Sequence, residues 1–221
     1  MKNKFLTVVF GISILLLIIS FSIALPIYCR FFYYMQIDGL KLTENTGYSY
    51  QTIKTAFDQV MNYLTIPWCA FGTGSLSYTP EGKAHFADCK VLFMLDTIVL
   101  ILSLAVVIVL FVLERKKKVN FCRPFGMHVA FTSAISIFAL FIILIGLVSI
   151  NFEKAFVIFH KIFFPGKENW QFTQADEIIN ILPQQFFMNC AILIASSIIL
   201  ICLAIIITQC VLRKKAKKNK N

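Results

Sequence analysis

Four long runs of apolar residues dominate the chain, separated by two long polar segments and one short one. They cover about Phe5 to Tyr28, Val91 to Leu113, His128 to Ile150 and Phe187 to Leu212. Each exceeds the roughly 20 residues that a helix needs to cross a bilayer core. Hydrocarbon offers no partner for backbone N–H and C=O groups, so each run is expected to be helical despite its many Ile and Val residues. The fold class is therefore an all-α polytopic membrane protein with four transmembrane helices, forming one integral membrane domain over 1–221. The first run has a basic start and a weakly cleavage-like Ser22-Ile23-Ala24. Its apolar stretch is too long for a signal-peptide core, which favours a retained anchor.

Between the spans the pattern changes. From Tyr50 to Leu64 the apolar residues Ile53, Phe57, Val60, Met61 and Leu64 keep helical spacing. Thr73-Gly74 and Pro80-Glu81-Gly82 read as turns, and Ser75 to Tyr78 alternates roughly as a short strand does. The segment 29–90 is thus expected to form a small cap of mixed helix and short strands. In the segment 151–186, Phe152, Phe156, Phe159 and Phe163 recur at spacings of four, three and four. That predicts an amphipathic helix at the membrane surface, stopped by Pro165-Gly166. Asp176 and Glu177 then open a short helix toward Leu182-Pro183.

Composition agrees with a lipid environment. Of the 221 residues, 58% are hydrophobic and only 14% charged, and the mean hydropathy is +0.78, against roughly 25% charged in soluble domains. The formal charge of +10 raises nucleic-acid binding, but its placement argues against it. Thirteen of the 21 basic residues lie in three pieces, at Lys2 and Lys4, at Arg115–Arg123 and at 213–220, each beside an apolar run. No zinc-finger spacing, phosphate-binding loop or stacking platform accompanies them. With the N-terminus inside, those pieces carry 13 basic residues and one acid, Glu114, while the rest carries 8 basic and 10 acidic residues. Both termini, the 114–127 loop and the disordered basic tail 213–221 are then cytoplasmic, the tail meeting anionic headgroups. The loops 29–90 and 151–186 face outward.

Candidate chemistry lies in those outer loops. Two of the chain's three histidines, His85 and His160, fall there, close to the membrane surface, while His128 begins the third span. Histidine is the side chain suited to moving protons near neutral pH. Asp88 lies three residues after His85, on the same helical face if the second helix starts early; it could orient the ring or cap the helix. Asp96 sits about two turns further on, inside the apolar run, where an ionisable group needs a polar partner or a cavity. Trp170 reads as an interfacial anchor. Glu153 or Asp88 could join the histidines around a metal, but no H-E-x-x-H and no close Cys/His cluster occurs, so neither metal nor cofactor is expected. No G-x-S-x-G nucleophile occurs either. The seven cysteines form no framework; Cys69 and Cys89 are both outside, and their pairing is open.

Two ordered motifs carry a resemblance: HFADC at His85–Cys89, and FHKIFF at Phe159–Phe164 continuing through Trp170 and Phe172 to ILPQQFF at Ile181–Phe187. From the first span to the fourth, the sequence resembles the bacterial lipoprotein intramolecular transacylase (Lit) family of low-GC Gram-positive organisms. The family pattern has a valine after the aspartate, where this chain has Cys89. The resemblance implies acyl transfer on lipoproteins whose N-terminal cysteine carries a diacylglyceryl thioether and a free α-amine. The sn-2 chain moves from the glyceryl ester to the amine, giving the lyso-form. It also implies that His85 and His160 are the essential pair, with Asp88, Asp96, Glu153 and Trp170 as supporting candidates. The expected partners are diacylglyceryl lipoproteins and membrane phospholipid, the expected state a monomer, and the expected place the cell membrane, with the site on its outer face. Read from the residues alone, two other classes stay open: a membrane lipid or lipoprotein esterase using the same histidines, and a non-catalytic accessory protein.

Overall fold

The structure is a computed structural model, described here for residues 2–218, without the side chains of 216 and 217. Eight α-helices follow one another: α1 (Lys4–Tyr28), α2 (Arg30–Gly39), α3 (Leu42–Thr46), α4 (Tyr50–Thr65), α5 (Pro80–Arg115), α6 (Val129–Ile150), α7 (Phe152–Phe163) and α8 (Gln184–Lys218). Four of them, α1, α5, α6 and α8, are long and apolar enough to span a membrane. Their exposed Ile, Leu, Val and Phe side chains present to lipid a surface that water would not tolerate. Helix α5 is longer than a bilayer requires. Its 36 residues extend about 54 Å, against a core of about 30 Å. The polar residues Glu81, Lys83, Asp88 and Lys90 mark its first eleven residues as the part beyond the hydrocarbon, before the long apolar stretch from Val91. Helix α8 carries the basic residues after Leu212 on to Lys218, so the start of the tail is helical rather than disordered; its last three residues lie outside those described.

The expectation of strands in the cap is overturned. Among the described residues there is no β-strand, only an isolated bridge between Asn3 and Phe121. The reason lies in where the 73–79 backbone finds its partners. Thr73 and Leu76 close a turn on each other, the Leu76 N–H donating to the Thr73 carbonyl at 3.1 Å and the Thr73 hydroxyl to the Leu76 carbonyl at 2.6 Å. The Ser77 N–H donates to the Glu177 carboxylate at 2.8 Å, and the Thr79 N–H to Asp176 Oδ1 at 2.7 Å. Two carboxylates thus occupy donors that a neighbouring strand would otherwise take.

The chain divides into two compact units. One comprises residues up to 22, 97–147 and from 194 onward; the other comprises 23–96 and 148–193. In the first, Phe10, Ile14, Leu110, Phe121, Val129 and Ile198 belong to one buried cluster, with Phe10 stacked on Phe121 at 4.7 Å. Gly11 lets α1 and α6 approach closely, the Ser133 hydroxyl donating to its carbonyl at 3.3 Å. His128 Nδ1 accepts the Ala130 N–H at 3.1 Å, so the ring proton sits on Nε2, which donates to Glu114 at 3.1 Å. It caps α6 and ties it to the end of α5.

The second unit has its own core. Helix α4 buries Ile53, Ala56, Phe57, Val60, Met61 and Leu64, and Ser49 caps its start by accepting the Thr52 N–H at 3.1 Å. Tyr33 of α2 stacks on Phe57 at 3.6 Å, and Phe186 of α8 packs edge-on to both. The Tyr33 hydroxyl donates to the Ile181 carbonyl at 2.7 Å, joining the cap helices to the 3₁₀ turn at Glu177–Ile181. Such aromatic pairs contribute about 0.5–1.5 kcal/mol each beyond their buried area. Asp58 gathers Arg30, Lys54 and the Tyr34 hydroxyl on the half-buried side of α4.

Candidate active site

The second unit also holds the polar residues that the sequence singles out. The start of α5 fixes the first of them. Thr79 is its N-cap, accepting the Gly82 N–H on its hydroxyl at 3.0 Å, with Pro80 at the first helical position. The same hydroxyl and the Thr79 N–H both donate to Asp176 Oδ1, at 2.8 and 2.7 Å. Asp176 Oδ2 accepts the Thr173 N–H and hydroxyl at 3.0 and 3.1 Å. Burial pushes the Asp176 carboxyl up, but its four hydrogen bonds outweigh this and hold it below the usual carboxylate range. Gly82 makes the arrangement possible, since a Cβ there would lie 2.4 Å from Asp176 Oδ1. Asp176 was legible in the sequence only as a helix opener; its clamp on the helix that carries His85 was not.

From that anchored turn, His85 points into an aromatic pocket. It is buried, with Phe164 edge-on at 4.9 Å and Phe172 at 5.6 Å. Its Nε2 lies 3.4 Å from the Sγ of Cys89, one turn along α5. Burial is the main reason that its pKa is lowered, to about 4, and the nearby His160 adds to the shift. Cys89 is a free thiol, as is Cys69. Burial raises the Cys89 pKa to about 12, so at neutral pH it keeps its proton and is no nucleophile.

His160 reaches the same place from α7. The centroids of the two imidazoles are 5.7 Å apart, with the rings inclined at 33°. His160 Nδ1 lies 2.7 Å from the Phe156 carbonyl oxygen. A carbonyl only accepts, so the ring proton is on Nδ1 and Nε2 keeps its lone pair. Trp170 stacks on the ring at 4.6 Å and Phe156 packs against it at 4.3 Å. The Trp170 indole N–H donates to the Lys167 carbonyl at 3.1 Å, which fixes the plate that the imidazole rests on. Burial lowers the His160 pKa, and the Phe156 carbonyl works against that shift. Both histidines are therefore neutral bases at pH 7. The two sides of α7 differ: His160 is buried, whereas Ile158, Phe159, Ile162 and Phe163 are exposed in the manner of a lipid-facing surface.

The other candidates separate. Asp88 makes no hydrogen bond to His85. Its Oδ1 pairs with Lys167, and its Oδ2 accepts the Asn169 side-chain N–H at 3.0 Å. It acts on His85 through its charge, which raises the histidine's pKa. Burial opposes ionisation of Asp88, but Lys167 and Asn169 prevail and hold its pKa low. Glu153 is exposed in the first turn of α7, where its charge suits the helix N-terminus. Asp96 is half-buried on α5, about 16 Å along the axis from His85 at 1.5 Å per residue. Among the described residues no three His, Cys, Asp or Glu side chains converge as metal ligands. A cavity of about 430 Å³ is lined by Val157, Lys161, Phe164, Lys167, Glu168, Trp170 and neighbours, with neither histidine in its wall. It shares with His160 the walls formed by Phe164 and Trp170.

A family model described as lipoprotein intramolecular transacylase Lit matches residues 8–187, a range that takes in both histidines and every side chain around them. The chain belongs to the Lit family. An in meso structure of the membrane integral lipoprotein intramolecular transacylase Lit from Bacillus cereus is similar throughout. Its TM-score is 0.87 at 26% identity, over 97% of each chain. Two variants of that protein, with a histidine replaced by arginine and by alanine, match at 25% identity. Their TM-scores are 0.79 and 0.80, over 97% of this chain and 93% and 94% of theirs. No curated protein matches the chain by sequence. Within the Lit fold, Asn169, Lys167 and the Phe156 carbonyl are the site groups that sequence spacing could not reveal, because each acts through a contact rather than a motif.

Proposed function

We propose that the protein catalyses intramolecular acyl transfer on diacylglyceryl lipoproteins. It moves the sn-2 acyl chain from the glyceryl ester to the α-amine of the N-terminal cysteine, and it does so on the extracytoplasmic face of the cell membrane. Membership of the Lit family supports the reaction. The observation that supports this site for it is a pair of buried, neutral imidazoles 5.7 Å apart on α5 and α7.

The proton inventory of the reaction suits that pair. The α-ammonium has a reference pKa near 8 and becomes an amide N–H, so the nitrogen loses two protons. One is released to water, and the other must reach the departing glyceryl oxygen, because an alkoxide leaves poorly. Two neutral histidines can accept the two protons in turn. The first, which we assign to His85, takes the proton that frees the amine lone pair and passes it to solvent. The amine then attacks the ester carbonyl, forming the C–N bond and a tetrahedral oxyanion. His160 Nε2 takes the second proton and delivers it to the glyceryl oxygen as the C–O bond breaks. Each charged ring disfavours the other, so the first proton departs before the second is taken. Amine and ester belong to one molecule, so positioning replaces the covalent acyl-enzyme that a serine would provide.

The substrate's lipid enters from the bilayer. The exposed Ile158, Phe159, Ile162 and Phe163 of α7 seat that helix at the membrane surface, with His160 at headgroup height. The excess of basic residues in the end segments supports an outward-facing site. The test is expression in cells that lack lipoprotein N-acylation, with acyl positions mapped on a model lipoprotein by fragmentation mass spectrometry. An N-acyl, S-monoacylglyceryl cysteine of unchanged total mass is expected. Loss of one fatty acid without N-acylation would make the protein an esterase.

A further inference from the structure

We propose that Asn169 is a positioning residue that holds the ring proton of His85 on Nδ1, and that Asp88 governs the histidine through this amide. The inference rests on the assignment of His85 as a base in the proposed reaction, and it adds what sets that base's tautomer.

The geometry runs from the outside inward. Lys167 holds Asp88 Oδ1, which keeps the carboxylate ionised and fixed in place. Asp88 Oδ2 accepts from Asn169 Nδ2 at 3.0 Å. A carboxylate can only accept, so this bond settles which end of the amide is which. The carbonyl oxygen, Oδ1, is then the end left for another partner. It is buried and has no hydrogen bond of good geometry among the described residues. The same holds for His85 Nδ1. The two side chains are close enough for the Asn169 amide to raise the proton affinity of His85.

Two buried polar atoms without partners are costly, about 1–3 kcal/mol each, and bringing these two together with the ring proton on Nδ1 would satisfy both. The Asn169 oxygen cannot donate, so an Nδ1 lone pair facing it would be repelled. Nε2 is then the basic atom. It faces Cys89, whose thiol is protonated at neutral pH and offers only a weak S–H donor. A substrate ammonium can displace such a contact. The arrangement parallels His160, where the backbone carbonyl of Phe156 fixes the same tautomer. Both imidazoles then present Nε2 as the base, one held by a backbone carbonyl and one by an amide that a carboxylate orients.

The full-length protein, labelled with ¹⁵N-histidine and placed in lipid nanodiscs, contains only three histidines, so each ring can be assigned by replacing one at a time. At pH 7 His85 is expected to show a protonated Nδ1 and a bare Nε2. N169L removes the acceptor, and its His85 signal should move to the other tautomer or to a mixture. Turnover of a synthetic diacylglyceryl lipopeptide should fall roughly ten- to a hundredfold in kcat, the scale seen for partners that orient histidines, with KM nearly unchanged. N169D restores an oxygen facing the ring, and should return the Nδ1–H signal and part of kcat. A His85 that stays Nδ1–H in N169L, an N169L enzyme with unchanged kcat, or an N169D protein without the Nδ1–H signal would each overturn the proposal. The tautomer is read without turnover, so a protein with the expected spectrum but no transacylase product would count against the proposed reaction alone.

Discussion

His160 donates its Nδ1–H to the carbonyl of Phe156, 2.7 Å away and one turn earlier on the same helix. The bond commits Nε2 to being the acceptor, and a general base on this helix loses its function when that nitrogen is lost. H160A is expected to reduce N-acylation by roughly 10²–10⁴-fold, the range for removal of a positioned acid–base group. H85A should do the same. Quantitative mass spectrometry of a reporter lipoprotein checks both, with immunoblotting of membranes to show that the variants insert. A variant that inserts normally and still acylates the amine would remove that histidine from the mechanism.

The acidity of the two rings sets the pH profile. Both pKa values lie below the ordinary 6.5, His85 at about 4. The His85 ring therefore stays neutral well below pH 6.5 and the His160 ring titrates below 6.5, so the acidic limb of kcat/KM belongs to the substrate ammonium near pH 8. Replacing the substrate's α-amine by a less basic one should move that limb to lower pH. An unmoved limb near 6.5 would assign it to a histidine instead.

Stability carries the same sign. Between pH 6.5 and about 4 the unfolded chain binds a proton at position 85 that the folded chain does not. The favourable contribution of the neutral ring is fully present above pH 6.5, declines as the pH falls and is gone below about 4. The thermal midpoint in detergent should drop over that window, and H85L should flatten the slope. Parallel curves for both proteins would contradict the shift.

Trp170 supports the His160 ring through a stacked face at 4.6 Å. W170A is expected to lower kcat about two- to tenfold, matching the roughly 0.5–1.5 kcal/mol of an aromatic pair. W170F should recover most of the loss. Steady-state turnover of a lipopeptide decides it, and equal losses in the two variants would point to the indole N–H rather than to stacking.

Gly82 is the weak point of the α5 anchor. A Cβ placed 2.4 Å from Asp176 Oδ1 must push the carboxylate off Thr79. G82A and D176A should each destabilise the protein by roughly 3 kcal/mol or more, since several hydrogen bonds to a buried charge are lost. Because they break one clamp, the double variant should lose little beyond either single one. Chemical unfolding of all three provides the comparison.

The spans and the α4 and α7 helices were legible because lipid and the 3.6-residue period leave little choice for such segments. The cap holds no strand among the described residues because the alternation at Ser75–Tyr78 is local, whereas the acceptors that absorb the N–H groups of Ser77 and Thr79, Glu177 and Asp176, lie about 100 residues away. Asp88 shows the same limit. Spacing put it on the His85 face of α5, but its carboxylate is spent on Lys167 and Asn169, 79 and 81 residues further along. Trp170 was readable as an amphipathic ring near the membrane, though not as the plate beneath an imidazole. Helical spacing announces which residues share a face; the hydrogen bonds they make, and what loops bring from afar, need coordinates.

Helix α7 has twelve residues and two duties. Its exposed Phe159, Ile162 and Phe163 form an apolar face, and His160 sits on the same rigid rod. Seated in a leaflet by that face, the helix would be a float that carries the proposed base. In the proposed reaction, the depth at which its apolar face settles would set the height of Nε2 above the acyl chains, and so which ester along a lipid's glycerol it can reach. Regiochemistry, in that view, is a matter of draught: a thinner or more tightly packed leaflet would retune the enzyme without altering a residue.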